Sequence, residues 1–411
     1  MVGRDGECVT AVDTRVVQAR SPREDAPRVP GGTVEMEPPP EIPRVVPGNP
    51  LLKMLPLVMV VAMVGMVALM ITSGAAANPM TLLFPAMMVV SMLGMFAGGG
   101  RGGGPRTAEL DESRKDYLTY LGGMRERVRS TASAQHEALA FSHPDPSMLS
   151  SFAGTSRMWE RRSTDDDFVH LRVGVGDQRL ATRLVTPDTG PPEGLEPVSA
   201  ALLRSFVRTH AIVSDLPTAV SLRAFSVIGV DGPVEAARAL VRSMVLQACT
   251  FHGPDDITLM VVVDDRTAAT WDWTKWLPHH GDETATDGGG RRRLTFESLA
   301  EAARGLAVPA ADSAGTRPHR IVVVDRGVED GVEDADAWET VTRAGDATVL
   351  TVSGAGQDGT ADRTLVLVVG EDADRPALGA RSAAGVEMFG TADGVDVVTA
   401  AVVARGLARF R

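Results

Sequence analysis

The stretch Met54–Ser73, MLPLVMVVAMVGMVALMITS, contains no charged residue. A second run, Met80–Ala97, MTLLFPAMMVVSMLGMFA, is equally free of charge. Each approaches the roughly 20 apolar residues that a helix needs to cross a hydrocarbon core about 30 Å thick. Only Gly74–Pro79 separates them, so the pair reads as a transmembrane helical hairpin over residues 51–98. Both ends of the chain then lie on one side of the bilayer. Arg44 and Lys53 precede the hairpin, Arg101, Arg106, Arg114 and Lys115 follow it, and the turn between the runs is uncharged. Lys and Arg concentrate in cytoplasmic flanks. The expectation is a two-pass protein of the inner (plasma) membrane with both termini cytoplasmic. A signal peptide does not fit, because the first run begins some fifty residues in and a second follows at once. A buried hairpin in a soluble core is the competing reading, although such long charge-free runs are rare in soluble helices.

Outward from the hairpin, residues 1–50 read as an N-terminal arm. They are rich in Pro, Glu and Arg and include Pro38-Pro39-Pro40. Such a segment buries too little surface to offset its ordering entropy and stays flexible or extended until captured. It is either a plain tail or an arm that lies on a neighbouring subunit. Methionines recur at helical spacing along both runs, among them Met59, Met63, Met66 and Met88, Met92, Met95. They serve lipid contact and hairpin packing, or a soft interface for other membrane helices.

Residues 99–145 read as a glycine-rich swivel, Gly98–Gly104, followed by a charged helical stalk. Tyr117, Leu121, Met124 and Val128 recur along it as one narrow apolar stripe that needs a partner helix. These four are candidate interface residues. Residues 150–195 read as a small β-rich module, with strands Phe168–Val175 and Gln178–Val185 around a Gly176-Asp177 turn. From residue 196 to 411, strands with continuous apolar runs alternate with amphipathic helices. That pattern implies a mainly parallel, doubly wound sheet covered on both faces.

Ligands of such sheets bind beyond the carboxyl ends of the strands. A P-loop there would place G-x-x-x-x-G-K-[ST] after the strand that ends at Val230. The chain instead reads Gly229-Val230-Asp231-Gly232-Pro233-Val234-Glu235-Ala236. Val234 stands for the second glycine, Glu235 for the lysine and Ala236 for the hydroxyl, and Pro233 removes an amide donor. A carboxylate in the lysine's place repels a polyphosphate. The strand Ile257–Val263 runs into Asp264-Asp265 as a Walker B strand runs into its metal-holding acid; Asp325 ends another strand. The reading is a P-loop-ATPase-like fold without an intact Walker A. Its degenerate site lies near Gly229, Gly232, Asp264 and Asp265. No catalytic residue, metal site or cofactor is assigned to this chain. His279-His280 lacks a ligand set, Arg291–Arg293 reads as a solvated loop, and Cys249 sits on a core helix. The net charge of −12 argues against nucleic acid as a partner, and two cysteines, Cys8 and Cys249, give no disulfide framework.

Several motifs add a family resemblance. Arg114-Lys115-Asp116-Tyr117-Leu118 follows the hairpin. Trp159-Glu160-Arg161-Arg162 and Asp167-Phe168 lead to Arg172-Val173-Gly174, and Trp271-Asp272-Trp273-Thr274-Lys275-Trp276-Leu277-Pro278-His279 comes later. In this order they resemble the N-terminal portion of the EccC family, the FtsK/SpoIIIE-type membrane ATPase component of mycobacterial type VII (ESX) secretion systems. The resemblance implies a membrane-anchoring and coupling part placed before three P-loop ATPase domains, the first expected to begin near Arg411. The chain then looks like a truncated or partly observed member. ATP and Mg are implied for the downstream domains and none for this chain. Partners implied are the other core membrane subunits of the ESX complex, further copies of the assembly, and small helical secreted proteins reached through the motors. Trp271, Trp273 and Trp276 are either packing groups or contacts to the next ATPase domain. Whether the chain has enzyme activity stays open. A self-contained, membrane-tethered nucleotide sensor or enzyme is the alternative.

Overall fold

The computed structural model describes residues 16–18, 22–42, 50–73, 87–91, 94, 104–188, 191, 194–287, 290–307, 318–326, 335–352, 363–372 and 374–410. They divide into two compact units, one of residues 1–31, 131–181 and 212–411, the other of residues 32–130 and 182–211.

Fourteen strands and seven longer helices are described, numbered here in chain order. The strands are β1 (Thr33–Glu35), β2 (His170–Arg179), β3 (Arg183–Val185), β4 (Ile212–Ser221), β5 (Val227–Asp231), β6 (Ile257–Val263), β7 (Gly281–Asp287), β8 (Gly290–Arg293), β9 (Thr295–Phe296), β10 (His319–Asp325), β11 (Ala347–Val352), β12 (Thr364–Val369), β13 (Ala377–Ser382) and β14 (Gly385–Ala392). The helices are α1 (Pro50–Thr72), α2 (Gly104–Ser142), α3 (Pro197–His210), α4 (Val234–Phe251), α5 (Leu299–Ala307), α6 (Ala335–Arg343) and α7 (Val397–Leu407).

The first unit is built on one ten-stranded sheet, ordered β4-β2-β14-β13-β12-β5-β11-β10-β6-β9. From β12 to β9 every pair is parallel. From β12 to β4 every pair is antiparallel. The sheet is therefore mixed, where a mainly parallel, doubly wound one was expected. The expected turn at Gly176-Asp177 lies inside the continuous strand β2, where a register shift between Gly176 and Gln178 makes it a bulge. A bulge keeps the strand running while it sharpens its twist. At the β2–β14 pairing the backbones approach closely: a Cβ on Gly390 would sit 2.1 Å from the Val175 carbonyl oxygen.

Alternation along the parallel strands sorts the core into two layers, one for each face. Leu259, Val261, Ile321, Val323 and Leu350 join one cluster with Leu240, Met244 and Val245 of α4 and Val403 and Leu407 of α7. Their neighbours Met260, Val262, Val322, Val324 and Val349 join another with Leu299 and Ala302 of α5 and Val341 of α6. Strands buried on both faces need the continuous apolar runs seen here, such as ITLMVVV of β6.

In the second unit, β1 pairs in parallel with β3. Residues 33–35 of the expected N-terminal arm thus form a strand on their own chain. The Glu37 carbonyl accepts from the Tyr117 hydroxyl at 3.0 Å, and the Glu37 N–H donates to the Tyr120 oxygen at 2.9 Å. The Glu196 carboxylate caps α3 by accepting from the Ser199 N–H at 2.7 Å and the Val198 N–H at 3.3 Å. Arg114 pairs with that carboxylate at 2.9 Å.

The membrane hairpin is not what the structure builds. Among the described residues, no helix is long and apolar enough to cross a membrane. The expected transmembrane hairpin, and with it the two-pass inner-membrane placement with both termini cytoplasmic, is corrected on that finding. Gly74–Pro79, the proposed turn, lies outside the described residues.

Candidate functional site

The strand order turns at β5: the chain leaves it for β6, three places away on one side, and returns to place β12 on the other. A ligand site in an open α/β sheet belongs at such a point, beyond the carboxyl ends of the strands. β5 ends at Asp231. Gly232 follows with φ of +133°, and a Cβ there would sit 2.3 Å from the Val369 carbonyl oxygen. Only glycine fits that turn. Its N–H donates to the Asp231 carboxylate at 2.9 Å, and that carboxylate also pairs with Arg381. Pro233 caps α4 without a side-chain hydrogen bond, so Val234, Glu235 and Ala236 form its first turn.

Arg238, one turn further on, closes the site from inside. Its Nε donates to Asp325 Oδ2 at 2.8 Å and its Nη2 to Asp325 Oδ1 at 3.2 Å. Glu235 holds the outer edge of the same guanidinium at 2.8 Å. The hydrogen bond to Asp325 raises the Arg238 pKa above its ordinary value, so the cation is fixed. The Trp271 indole N–H also donates to Asp325 Oδ2, at 2.7 Å, and the Thr267 hydroxyl donates to the Asp325 carbonyl at 2.6 Å. The Asp325 side chain is 5% exposed. Its carboxylate thus accepts from an arginine fork and an indole.

In the sheet, β6 stands three places from β5 and β10 only two. At about 4.8 Å per strand, Asp264 is about 14 Å across the sheet from the β5 end and Asp325 about 10 Å. Asp264 instead organises its own turn: Oδ1 accepts from the N–H groups of Arg266 and Thr267, both at 2.9 Å. Asp265 is exposed and Gly229 is buried inside β5. The structure therefore brings Gly232, Glu235, Arg238, Asp325 and Trp271 together, and not the expected set of Gly229, Gly232, Asp264 and Asp265. One signal for the missed pair was present: a strand ending in aspartate, and an arginine one turn into the helix that follows β5.

A magnesium nucleotide does not fit these residues. The lysine's place holds Glu235, the hydroxyl's place holds Ala236, and the acid facing them already holds a guanidinium. Among the described residues, no group of three or more His, Cys, Asp or Glu is placed to hold a metal ion.

The expected interface residues are mostly interior. Tyr117, Leu121, Met124 and Val128 are buried within the second unit. Trp271 and Trp273 are buried in the first, and only Trp276 reaches the surface, at 39% exposure. Its ring lies 5.3 Å from the Arg405 guanidinium. The tryptophan-rich segment is packing for two of its three rings.

In the motif Trp159-Glu160-Arg161-Arg162, the first three residues form a buried corner against the end of α4 and Arg162 is exposed. The Trp159 indole donates to the Cys249 carbonyl at 3.1 Å. Arg161, buried, donates to the carbonyls of His170 and Ser142 and pairs with Asp167 at 3.4 Å. Burial lowers its pKa to about 10, against the raising pull of Asp167 and Glu160. The Val169 N–H donates to His252 Nε2 at 2.9 Å, and the His252 Nδ1–H donates to the Ala248 carbonyl at 2.9 Å. These bonds require a neutral imidazole.

No family model matches the chain. It is similar to the ESX secretion system protein EccC of Thermomonospora curvata, 36% identical over 417 residues, covering 96% of this chain and 30% of that protein. It is similar to the ESX-1 secretion system protein EccCa1 of Mycobacterium tuberculosis, 36% identical, covering 82% of this chain and 47% of that one.

This chain belongs to the EccC family.

The ESX-4 member EccC4 of M. tuberculosis is 38% identical over 70% of this chain and 23% of its own length. The chain thus spans between about a quarter and a half of the EccC proteins it matches. These relatives are components of ESX secretion systems. Among solved structures, it is similar to T. curvata EccC (ATPases 2 and 3) in complex with a signal sequence peptide. That match has a TM-score of 0.36 and 14% identity, and covers 62% of this chain and 50% of that one. The cytoplasmic domain of the T. curvata type VII secretion ATPase EccC matches at a TM-score of 0.31 and 12% identity, over 58% of this chain and 28% of that one. These likenesses are too distant to carry an argument about the site.

Proposed function

We propose that this part of EccC is a non-hydrolysing, ATPase-like module of a type VII (ESX) secretion component. It couples by placement and leverage, and leaves ATP and Mg to other domains of the longer EccC proteins. Its partners would be the other subunits of the ESX complex, and secreted helical proteins would be reached only through those motor domains. The observation that carries this reading is the Arg238–Asp325 pair, where the protein's own cation takes the carboxylate that a metal would need. The rigid support of Asp325 by Trp271 and Thr267 favours a structural role for the same residues.

The test is ATP hydrolysis by the full chain with Mg present. The expected result is no turnover above that of a heat-denatured control. Turnover abolished by Asp325→Asn or Asp264→Asn would establish an enzyme and overturn the proposal. Nucleotide binding without turnover would favour a sensor.

A further inference from the structure

The last residues of α2, 131–142, belong to the first unit, and three arginines take up the carbonyls at its end. Arg157 Nη2 donates to the Phe141 carbonyl at 2.8 Å, Arg161 Nη2 to the Ser142 carbonyl, and Arg172 Nη1 to the His143 carbonyl at 3.3 Å. A helix end leaves such carbonyls without intrahelical partners, and cations there complement the helix dipole. Arg157 and Arg161 are fixed by carboxylates of their own segment, Glu160 at 2.8 Å and Asp167 at 3.4 Å. Arg172, on β2, instead bridges two carboxylates that lie far apart in the chain. Its Nη2 donates to Asp145 Oδ2 at 3.3 Å, in the turn after α2, and to Asp393 Oδ1 at 3.1 Å, in the turn between β14 and α7. One side chain, 7% exposed, ties the end of α2 to the entry of the last helix.

The two acids are unequal. Asp145 is 55% exposed and also accepts from the Ser147 N–H at 3.0 Å and hydroxyl at 2.7 Å. Burial raises its pKa, but the bonds from Ser147 and the charge of Arg172 outweigh it and hold the group below its ordinary value. Asp393 is 9% exposed. Its Oδ2 lies 2.9 Å from Arg172 Nε, but the two are not aligned as a hydrogen bond, and both atoms are buried without one. A buried carboxylate oxygen with no donor favours the neutral acid. The charged groups that face Asp393 are Arg172 and Asp145; burial foremost raises its pKa to about 6, against the lowering pull of Arg172. His143, beside the arginine, stays neutral, since burial and the charge of Arg161 lower it to about 3.

We propose that Arg172 is a proton-controlled latch: with Asp393 ionised it joins the end of α2 to the β14–α7 turn, and with a proton on Asp393 it keeps Asp145 and the His143 carbonyl and lets that turn go. Loosening is local, because Arg157 and Arg161 hold α2 in either state. The folded chain takes up this proton above the unfolded carboxylate value of about 3.9. Asp393 therefore adds to global stability as pH falls through its folded value, and opening of the latch is not the onset of unfolding. The latch goes beyond the coupling role proposed above and does not depend on the absence of ATP turnover.

Hydrogen exchange of the full chain, corrected for the intrinsic pH dependence of amide exchange, tests this. Protection over residues 393–400 is expected to fall at least threefold between about pH 7.5 and about pH 5, with a midpoint of about 6, while residues 137–142 keep theirs. Asp393→Asn is expected to show the lower protection at both pH values, with no midpoint. His143→Gln is expected to leave the midpoint in place, which separates the acid from a histidine. Equal protection of 393–400 at both pH values in the unaltered chain would overturn the proposal, and so would a midpoint that persists in Asp393→Asn.

Discussion

Arg238 and Asp325 meet as a fork on a carboxylate, with Nε–Oδ2 at 2.8 Å and Nη2–Oδ1 at 3.2 Å. They join the first turns of α4 to the end of β10, the two elements that would otherwise frame a nucleotide. Paired, planar contacts of this kind are the strong ones among charge-assisted hydrogen bonds. The pair is mostly withdrawn from solvent, with side chains 14% and 5% exposed.

Removing one partner leaves a buried charge without its counterion, which typically costs about 3–5 kcal/mol. Arg238→Met is therefore expected to lower unfolding stability by about 3 kcal/mol. Asp325→Asn keeps an acceptor for Trp271 and is expected to cost less. The double variant should cost less than the sum of the two, with a coupling of at least about 1 kcal/mol. Urea denaturation of the four proteins measures this. Additive costs would show that the contact contributes nothing of its own.

Gly232→Ala places a Cβ 2.3 Å from the Val369 carbonyl at φ of +133°. Strain of this kind costs about 1–3 kcal/mol even before the clash is counted. A loss of 2 kcal/mol or more is expected by urea denaturation. Gly122→Ala serves as a control, since no atom lies within 4 Å of its Cβ position.

Acidification is expected to destabilise the chain in two windows. Burial foremost lowers His252 and His143 to about 3, and His280 and His319 to about 4. The unfolded chain takes up these protons near pH 6.5, while the folded chain does not. Stability therefore falls as pH drops below about 6.5, by about 1.4 kcal/mol per pH unit for each such histidine. Melting temperature against pH measures this, and His252→Gln should flatten the slope.

The second window belongs to Asp167. Burial raises its pKa, but hydrogen bonds from Arg23 and the charges of Arg161 and Arg23 outweigh it and hold the group at about 2. A depressed carboxylate stabilises the fold above its unfolded pKa, near 3.9, and loses that contribution as pH falls through its folded value. Arg23→Ala, which removes the 2.5 Å contact to Asp167, should narrow this window. Its cost at neutral pH is expected to be about 1 kcal/mol, because Arg23 is partly solvated.

The buried strands β6, β10 and β11 were legible in the sequence because strands covered on both faces require unbroken apolar runs. The antiparallel half of the sheet was not. β2 runs through a Gly-Asp pair that signals a turn locally, and tertiary pairing with β4 and β14 overrides it. β13 and β14 carry exposed and polar positions that give no alternation to follow. The Arg238–Asp325 pair joins residues 87 positions apart, a relation that strand order sets and local sequence does not. The charge-free runs gave the strongest local signal and the least faithful one, because absence of charge measures apolarity and says nothing about which surface covers it.

The most direct test of the central claim is thermal unfolding of the full chain titrated with ATP and Mg. A ligand bound only by the folded state at a hundredfold excess over its dissociation constant adds about 2.7 kcal/mol of stability. The expected result is no change in melting temperature up to millimolar Mg-ATP. A saturable rise that disappears with Asp325→Asn would contradict the account, because it would mean that Arg238 yields its carboxylate to a nucleotide-bound metal.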